Sequence, residues 1–399
     1  MSEPSEIPDG RSAAEDYRRQ LQRAAALKSG MPAITRDEIL RWVRANRPMV
    51  LEVAKRSGAT ESECEAVAEA FANAISQLPS VSELDDPHAI LILDKLIERI
   101  EAACKKLNVP IGDGVAFGSL REPGLTAQQF AVLQTTASII DVSIPFLVFC
   151  DLVSKAVSHT LDPRIVGDNG IKFSLDASAI REKLRSDSSV RAEWIRIVRQ
   201  YAVTGKPPIG LGEAPEGPRA ELRRSLLDAM EVFAVAHEYG HHSLQHGVGA
   251  SSSNDIQTKT SAWEDEYQAD IFARLISGAL AETAADVMLL SGAGSIILAG
   301  TDLIARARQT LLAGTDVVPE RDSHPPLAKR LERLDAEDRS GLPSKEAEWC
   351  VQFRRNVVTV IAVVWEELKP TFGRYHAEGL RPDEHTNTPA NWLPLSPRH

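Results

Sequence analysis

Two histidines one helical turn apart, His237 and His241 with Glu238 beside the first, constrain this chain more than any other feature. Residues i and i+4 of a helix share a face, so His237-Glu238-Tyr239-Gly240-His241 presents two imidazoles side by side. The flanking residues support the helix. Leu226, Leu227, Met230, Phe233 and Ala234 recur at helical spacing, and Gly247 and Gly249 end the run. Two neutral imidazoles at that separation can share one Zn²⁺, with the intervening glutamate placed as a general base.

A catalytic zinc takes three protein ligands and keeps one position open. Glu266, 25 residues after His241, supplies the third. It stands in a segment with Trp263, Tyr267, Ile271, Phe272 and Leu275 at helical spacing, which predicts a second helix folding back antiparallel to the first. Asp270 follows one turn later, where a carboxylate can hold a ligating imidazole by its other N–H. The chain offers a competitor: Glu282-Thr283-Ala284-Ala285-Asp286 repeats the Glu-x-x-Ala-Asp pattern 41 residues after His241. The shorter return favours Glu266 and leaves Glu282 as the alternative ligand.

His-Glu-x-Gly-His followed by Glu-x-x-Ala-Asp resembles the gluzincin metallopeptidases, whose third zinc ligand is a glutamate on a downstream helix. Ser323-His324-Pro325-Pro326, with Arg330 and Leu334, resembles the His-Pro-x-x-x-x-Arg segment of the HtpX-like and CAAX-prenyl peptidases. The short return to Glu266 and Glu-Tyr-Gln-Ala-Asp-Ile-Phe-Ala are similar to the ImmA/IrrE-like peptidases, with Asp270 where those commonly carry Asn. The resemblance covers about residues 225–335. It implies a zinc-dependent endopeptidase acting on a protein or peptide, with Zn²⁺ as cofactor.

On this reading Zn²⁺ is held by His237, His241 and Glu266, and Glu238 moves the proton from water to the leaving amine. His324 is the further catalytic candidate, as a donor to the developing oxyanion or as a support for Asp270 or Arg330. Its other reading is a helix start, with Ser323 as cap and both prolines in the first turn. Arg330 or a tyrosine could equally serve the oxyanion. His242 and His246 lie about 100° and 140° from His241 on the wheel, off the metal-facing side; His246 reads as a helix C-terminal residue. A different class of function fits the same residues: a non-proteolytic metal-binding regulatory or defence protein, with its helical region as the partner-binding module.

Composition sets the remaining bounds. A net charge of −11 over 399 residues argues against nucleic acid as the main partner. Cys64, Cys104, Cys150 and Cys350 are scattered without a Cys-x-x-Cys pair and read as buried free thiols. The opening Met-Ser-Glu-Pro-Ser-Glu has no secretory character. The apolar stretches Ala137–Val153, Val287–Gly300 and Val357–Trp365 are short or interrupted for a span of about 20 apolar residues. No membrane insertion and a cytoplasmic location are expected.

The fold expected is mainly α: a helical zincin-like metallopeptidase core with at most a small β-sheet, plus a helical N-terminal region. Residues 1–34 read as a flexible tail holding one charged helix (Ala13–Ala26), 35–160 as the helical region, 161–340 as the metallopeptidase domain, 341–372 as a C-terminal helix and 373–399 as a second tail. Helices are expected at Arg36–Arg56 with a kink near Pro48, at Glu61–Leu78, and at His88–Leu107. Leu125–His159 reads as one or two long core helices broken near Pro145. A hairpin is expected around Asn169-Gly170, with weak strand signals at Gly114–Phe117 and Ile171–Phe173. Gly205–Gly217 reads as a loop that overlies the cleft or simply links helices.

Overall fold

The computed structural model describes residues 9–29, 36–56, 60–77, 82, 84–120, 123–166, 170–209, 215–246 and 259–383. The expected helix stops at Ser57-Gly58, Gly247 and Gly249, the Asn169 turn, part of the Gly205–Gly217 loop and most of the second tail lie outside those residues. The fold is mainly α. Its elements in chain order are α1 (Gly10–Ser29), α2 (Arg36–Ala45), α3 (Arg47–Arg56), α4 (Glu61–Gln77), α5 (Pro87–Lys106), β1 (Val115–Leu120), β2 (Ala127–Ala131), β3 (Ser138–Ser143) and α6 (Ile144–Leu161). There follow β4 (Arg164–Val166), β5 (Gly170–Lys172), α7 (Ala177–Ser186), α8 (Ser188–Thr204), α9 (Pro218–Ser243), α10 (Lys259–Leu280), α11 (Ala284–Ala313), α12 (Leu327–Gly341) and α13 (Ser344–Ala377).

Two sequence expectations change. Arg36–Arg56 forms two helices broken at Asn46, and the stretch expected as helix from Leu125 contains two strands before α6 begins. The sheet has the order β1-β3-β2, with β3 parallel to β1 and antiparallel to β2. β3 is its central strand and all six of its residues are buried. A strand covered on both faces loses the apolar–polar alternation that marks strands in sequence, so Ile139, Ile140 and Val142 read as a helix face. The helix proper starts at Ile144, where the Ser143 hydroxyl accepts from Phe146 N–H and Pro145 occupies the first turn. The expected hairpin appears as β4 paired antiparallel with β5.

α1 docks on the outer face of the sheet. Arg18 is fully buried, forks onto Asp85 at 2.6 and 2.8 Å, and reaches Asp141 of β3 at 2.7 Å. Gly118 of β1 makes room, since a Cβ there would lie 1.9 Å from the Arg18 guanidinium. The charged helix expected at Ala13–Ala26 thus spans Gly10–Ser29 and is held on the sheet by a buried cation paired with two carboxylates.

One apolar core runs through α5, the sheet, α6, α8, α9, α11 and α13, from Ala89 to Phe372. α6 is long and apolar enough to cross a membrane by length and composition, and 78% of it is buried among these neighbours. All four cysteines are free and buried.

Half-buried charges line the contacts of α9 with α6 and α5. Asp151 pairs with Arg223 and with Lys155, and Asp228 pairs with Arg99 at 2.5 Å. Burial, with Asp228 and Asp151 nearby, pushes Glu231 up to about 8, although Arg223 and Arg99 pull the other way. A carboxyl whose folded pKa is raised from 4.5 contributes stability below about 4.5 and loses it as pH rises through about 8. Glu231→Gln removes that titration. Urea unfolding should therefore favour the variant over the parent more at pH 8.5 than at pH 5.5. An equal difference at both pH values would show that Glu231 ionises freely in the folded state.

Candidate metal centre

α9 is buried on nearly every side from Ala229 to Gly240, because the sheet, α6, α10 and α11 surround it. Its last turns carry His237 and Glu238, both fully buried, and His241. α10 packs against this part of α9. The contact depends on Gly240, where a Cβ would lie 3.1 Å from both Ala269 Cα and Phe272 Cβ. A side chain at Gly240 would press on α10 backbone, which gives less readily than a side-chain tip, so the glycine of the histidine motif permits this close helix separation. Gly240→Val is expected to destabilise the fold by about 1–3 kcal/mol and to weaken metal binding, since it pushes Glu266 away. Unchanged melting together with unchanged metal affinity would contradict that account.

This packing brings His237, His241 and Glu266 together, with ligand atoms all within 4.8 Å of one another. The two Nε2 atoms are 3.2 Å apart, and the Glu266 carboxylate oxygens lie 3.5 Å from each. Metal bonds of about 2.0–2.2 Å at tetrahedral angles put neighbouring donors about 3.3–3.6 Å apart, so the spacing suits one first-row ion. Among the described residues no fourth His, Cys, Asp or Glu joins the group. Glu266 Oε2 is buried without a hydrogen-bond partner. Glu282 is exposed and precedes a capping box in which Thr283 and Asp286 exchange hydrogen bonds at the start of α11. The second Glu-x-x-Ala-Asp pattern is thus a helix start.

The surroundings draw in positive charge. Asp270 Oδ1 lies 3.0 Å from His237 Nδ1, and Arg330 of α12 forks onto the same carboxylate at 2.5 and 2.7 Å. Arg330 also approaches Glu266, at 3.8 Å. Three buried carboxylates, Glu238, Glu266 and Asp270, stand against this one guanidinium. Burial opposes a charged His237, but Asp270 and Glu266 outweigh it and raise that imidazole to about 9. Burial likewise opposes ionised Glu266, yet His324, His237 and His241 hold its carboxyl well below the usual range. A pocket that favours cations this strongly, with two imidazoles and a carboxylate at metal-bond spacing, fits a divalent ion.

His324 sits on the same cluster, with Nε2 3.6 Å from Glu266 Oε1, buried and without a hydrogen-bond partner. Its Nδ1 faces the Ser323 hydroxyl at 2.8 Å. Ser323 therefore does not cap α12, which starts after Pro326 without a side-chain cap. Burial lowers His324 to about 4, with Arg330, His237 and Arg321 adding to the effect and Glu266 opposing it. The ring is thus neutral at ordinary pH.

His242 faces away from the cluster, as the wheel predicts, and bridges Ser138 Oγ and Ile111 O at 2.9 Å each. His246 does more than end a helix. Its ring lies against His241, with the two Nδ1 atoms 2.8 Å apart. The sequence hid this contact, because it depends on Gln245 adopting φ 56°, a left-handed turn that glycine usually signals. The bonds His246 N–H to His241 O (2.9 Å) and Gln245 N–H to His242 O (3.0 Å) complete a Schellman motif that folds His246 back over the site.

Comparison of the chain with protein-family models, with curated proteins and with solved structures finds no match to any of them.

Proposed function

We propose that the chain is a zinc-dependent peptidase that hydrolyses an amide bond at His237, His241 and Glu266. The observation that carries this reading is a three-donor cluster with Glu238 on the next helical position and no fourth ligand among the described residues. Structural zinc is normally closed by four protein ligands, whereas catalytic zinc is held by three. Two imidazoles and one carboxylate are a donor set zinc accepts readily. When bound there, zinc supplies Lewis acidity and lowers the pKa of water to about 7.

The chain's own residues do the rest. Glu238 takes a proton from the attacking water and delivers it to the leaving amine. His324 faces the Ser323 hydroxyl through Nδ1 and the cluster through Nε2; in the tautomer with its proton on Nε2 it would donate to the carbonyl oxygen as charge develops. Asp270 and Arg330 fix the His237 ring, and Arg330 anchors the start of α12. β2 is an edge strand beside α9, bonded only to β3 among the described residues, and offers a backbone edge for an extended peptide.

Comparing new protein N-termini in cells that express the wild type and Glu238→Gln tests this proposal and identifies the substrate. Sites cut only by the wild type support it. Zinc binding without any such site would support a non-catalytic metal protein instead.

A further inference from the structure

We propose that His246 is a positioning residue for the metal centre, holding His241 in the tautomer that binds metal. The inference rests on the reading of His237, His241 and Glu266 as that centre.

The argument is one of proton placement. The Nε2 atoms of His237 and His241 face each other and Glu266, so both rings turn Nε2 toward a metal. A neutral imidazole that coordinates through Nε2 carries its proton on Nδ1. For His237 that N–H meets the Asp270 carboxylate. For His241 it meets the Nδ1 of His246 at 2.8 Å, which must then accept. His246 in turn keeps its proton on Nε2, and that nitrogen faces Gln268 Oε1 at 3.2 Å.

Gln268 is itself oriented, since its amide nitrogen points to Glu264 Oε1 at 3.5 Å, leaving its carbonyl oxygen for His246. Every donor in the series from His241 through His246 and Gln268 to Glu264 thus finds an acceptor. Reversing the His246 tautomer would set two N–H groups against each other at His241.

The two ligating histidines are therefore supported differently. His237 leans on an ionised carboxylate held by Arg330, and His241 leans on a second imidazole. Asp265 Oδ1 is farther from the His246 ring, at 3.7 Å, and Gln268 is the nearer partner. The two α10 residues that orient His246, Gln268 and through it Glu264, flank Glu266, so one helix supplies both a ligand and the support of another ligand.

Zinc affinity of the full-length protein, measured by competition with a chromophoric chelator, tests the proposal. His246→Leu should bind zinc about 10–100-fold more weakly than the wild type, the usual cost of losing a partner that orients a ligating imidazole. Melting of the metal-free protein should fall by no more than about 2–4 °C, because the ring packs in the turn after α9 and outside the apolar core. His246→Asn, whose side-chain oxygen can take the place of Nδ1, should recover most of the affinity. Gln268→Leu should weaken binding in the same direction but less.

Equal zinc affinity in the wild type and His246→Leu would overturn the proposal while leaving the metal centre intact. A loss in His246→Leu that Asn does not restore, with melting lowered in both variants, would also overturn it and assign His246 a packing role. A wild type that binds no zinc would remove the centre and this inference together.

Discussion

Replacing His237 or His241 by alanine is expected to take the protein from about one zinc per chain to nearly none, read by metal analysis after desalting. Each substitution deletes one of only three donors, and among the described residues no fourth side chain joins the group. The loss should exceed the 10–100-fold expected for removing a supporting partner, because a coordinate bond disappears. His241→Ala should disturb the fold less than His237→Ala, since His241 lies in the last turn of α9 and is 12% exposed whereas His237 is fully buried. His237→Ala is more demanding. It leaves a cavity at a fully buried position and strips Asp270 of one partner, but Arg330 still pairs with that carboxylate. Undiminished zinc in both variants would show that the metal binds elsewhere.

Glu238→Gln has the second large expected effect. The substitution is nearly isosteric at a fully buried site and removes no ligand, so zinc content and melting should match the wild type. Hydrolysis should fall by about 10²–10⁴-fold, the usual contribution of a general base. The comparison separates chemistry from binding: a variant with full metal and no cleavage isolates the proton-transfer role. Cleavage at the wild-type rate would mean that Glu238 is a buried structural carboxylate and that another group activates water.

Much of this centre was legible in the sequence because helical spacing puts its residues on two helix faces and the His-Glu-x-x-His motif marks the first of them. His237, Glu238 and His241 follow from one helix, and Glu266 with Asp270 from the next. The choice of Glu266 over Glu282 followed from the short return, and the structure adds the reason Glu282 fails: it belongs to a capped helix start. Arg330 and His324 were visible only as a short motif. Their placement against Asp270 and Glu266 required the packing of α12 on α10, which no local pattern encodes.

The contact between His246 and His241 was hidden for a different reason. It depends on a left-handed Gln245, and glutamine gives no hint of that conformation. β3 was missed because a strand buried on both faces looks like an apolar helix, and β2 because Ala127–Ala131 is a short, half-buried edge strand without apolar–polar alternation. Arg18 was missed because a lone arginine in a charged helix reads as solvated, and only the fold brings Asp85 and Asp141 to it.

An anomalous difference map at the zinc edge, from crystals grown with zinc, tests the account most directly. One strong peak is predicted per chain, about 2.0–2.2 Å from His237 Nε2, His241 Nε2 and a Glu266 carboxylate oxygen, with no fourth protein ligand. A peak ligated by Glu282, a site closed by a fourth side chain, or no peak near these histidines would contradict the three-ligand centre on which the proposed peptidase rests.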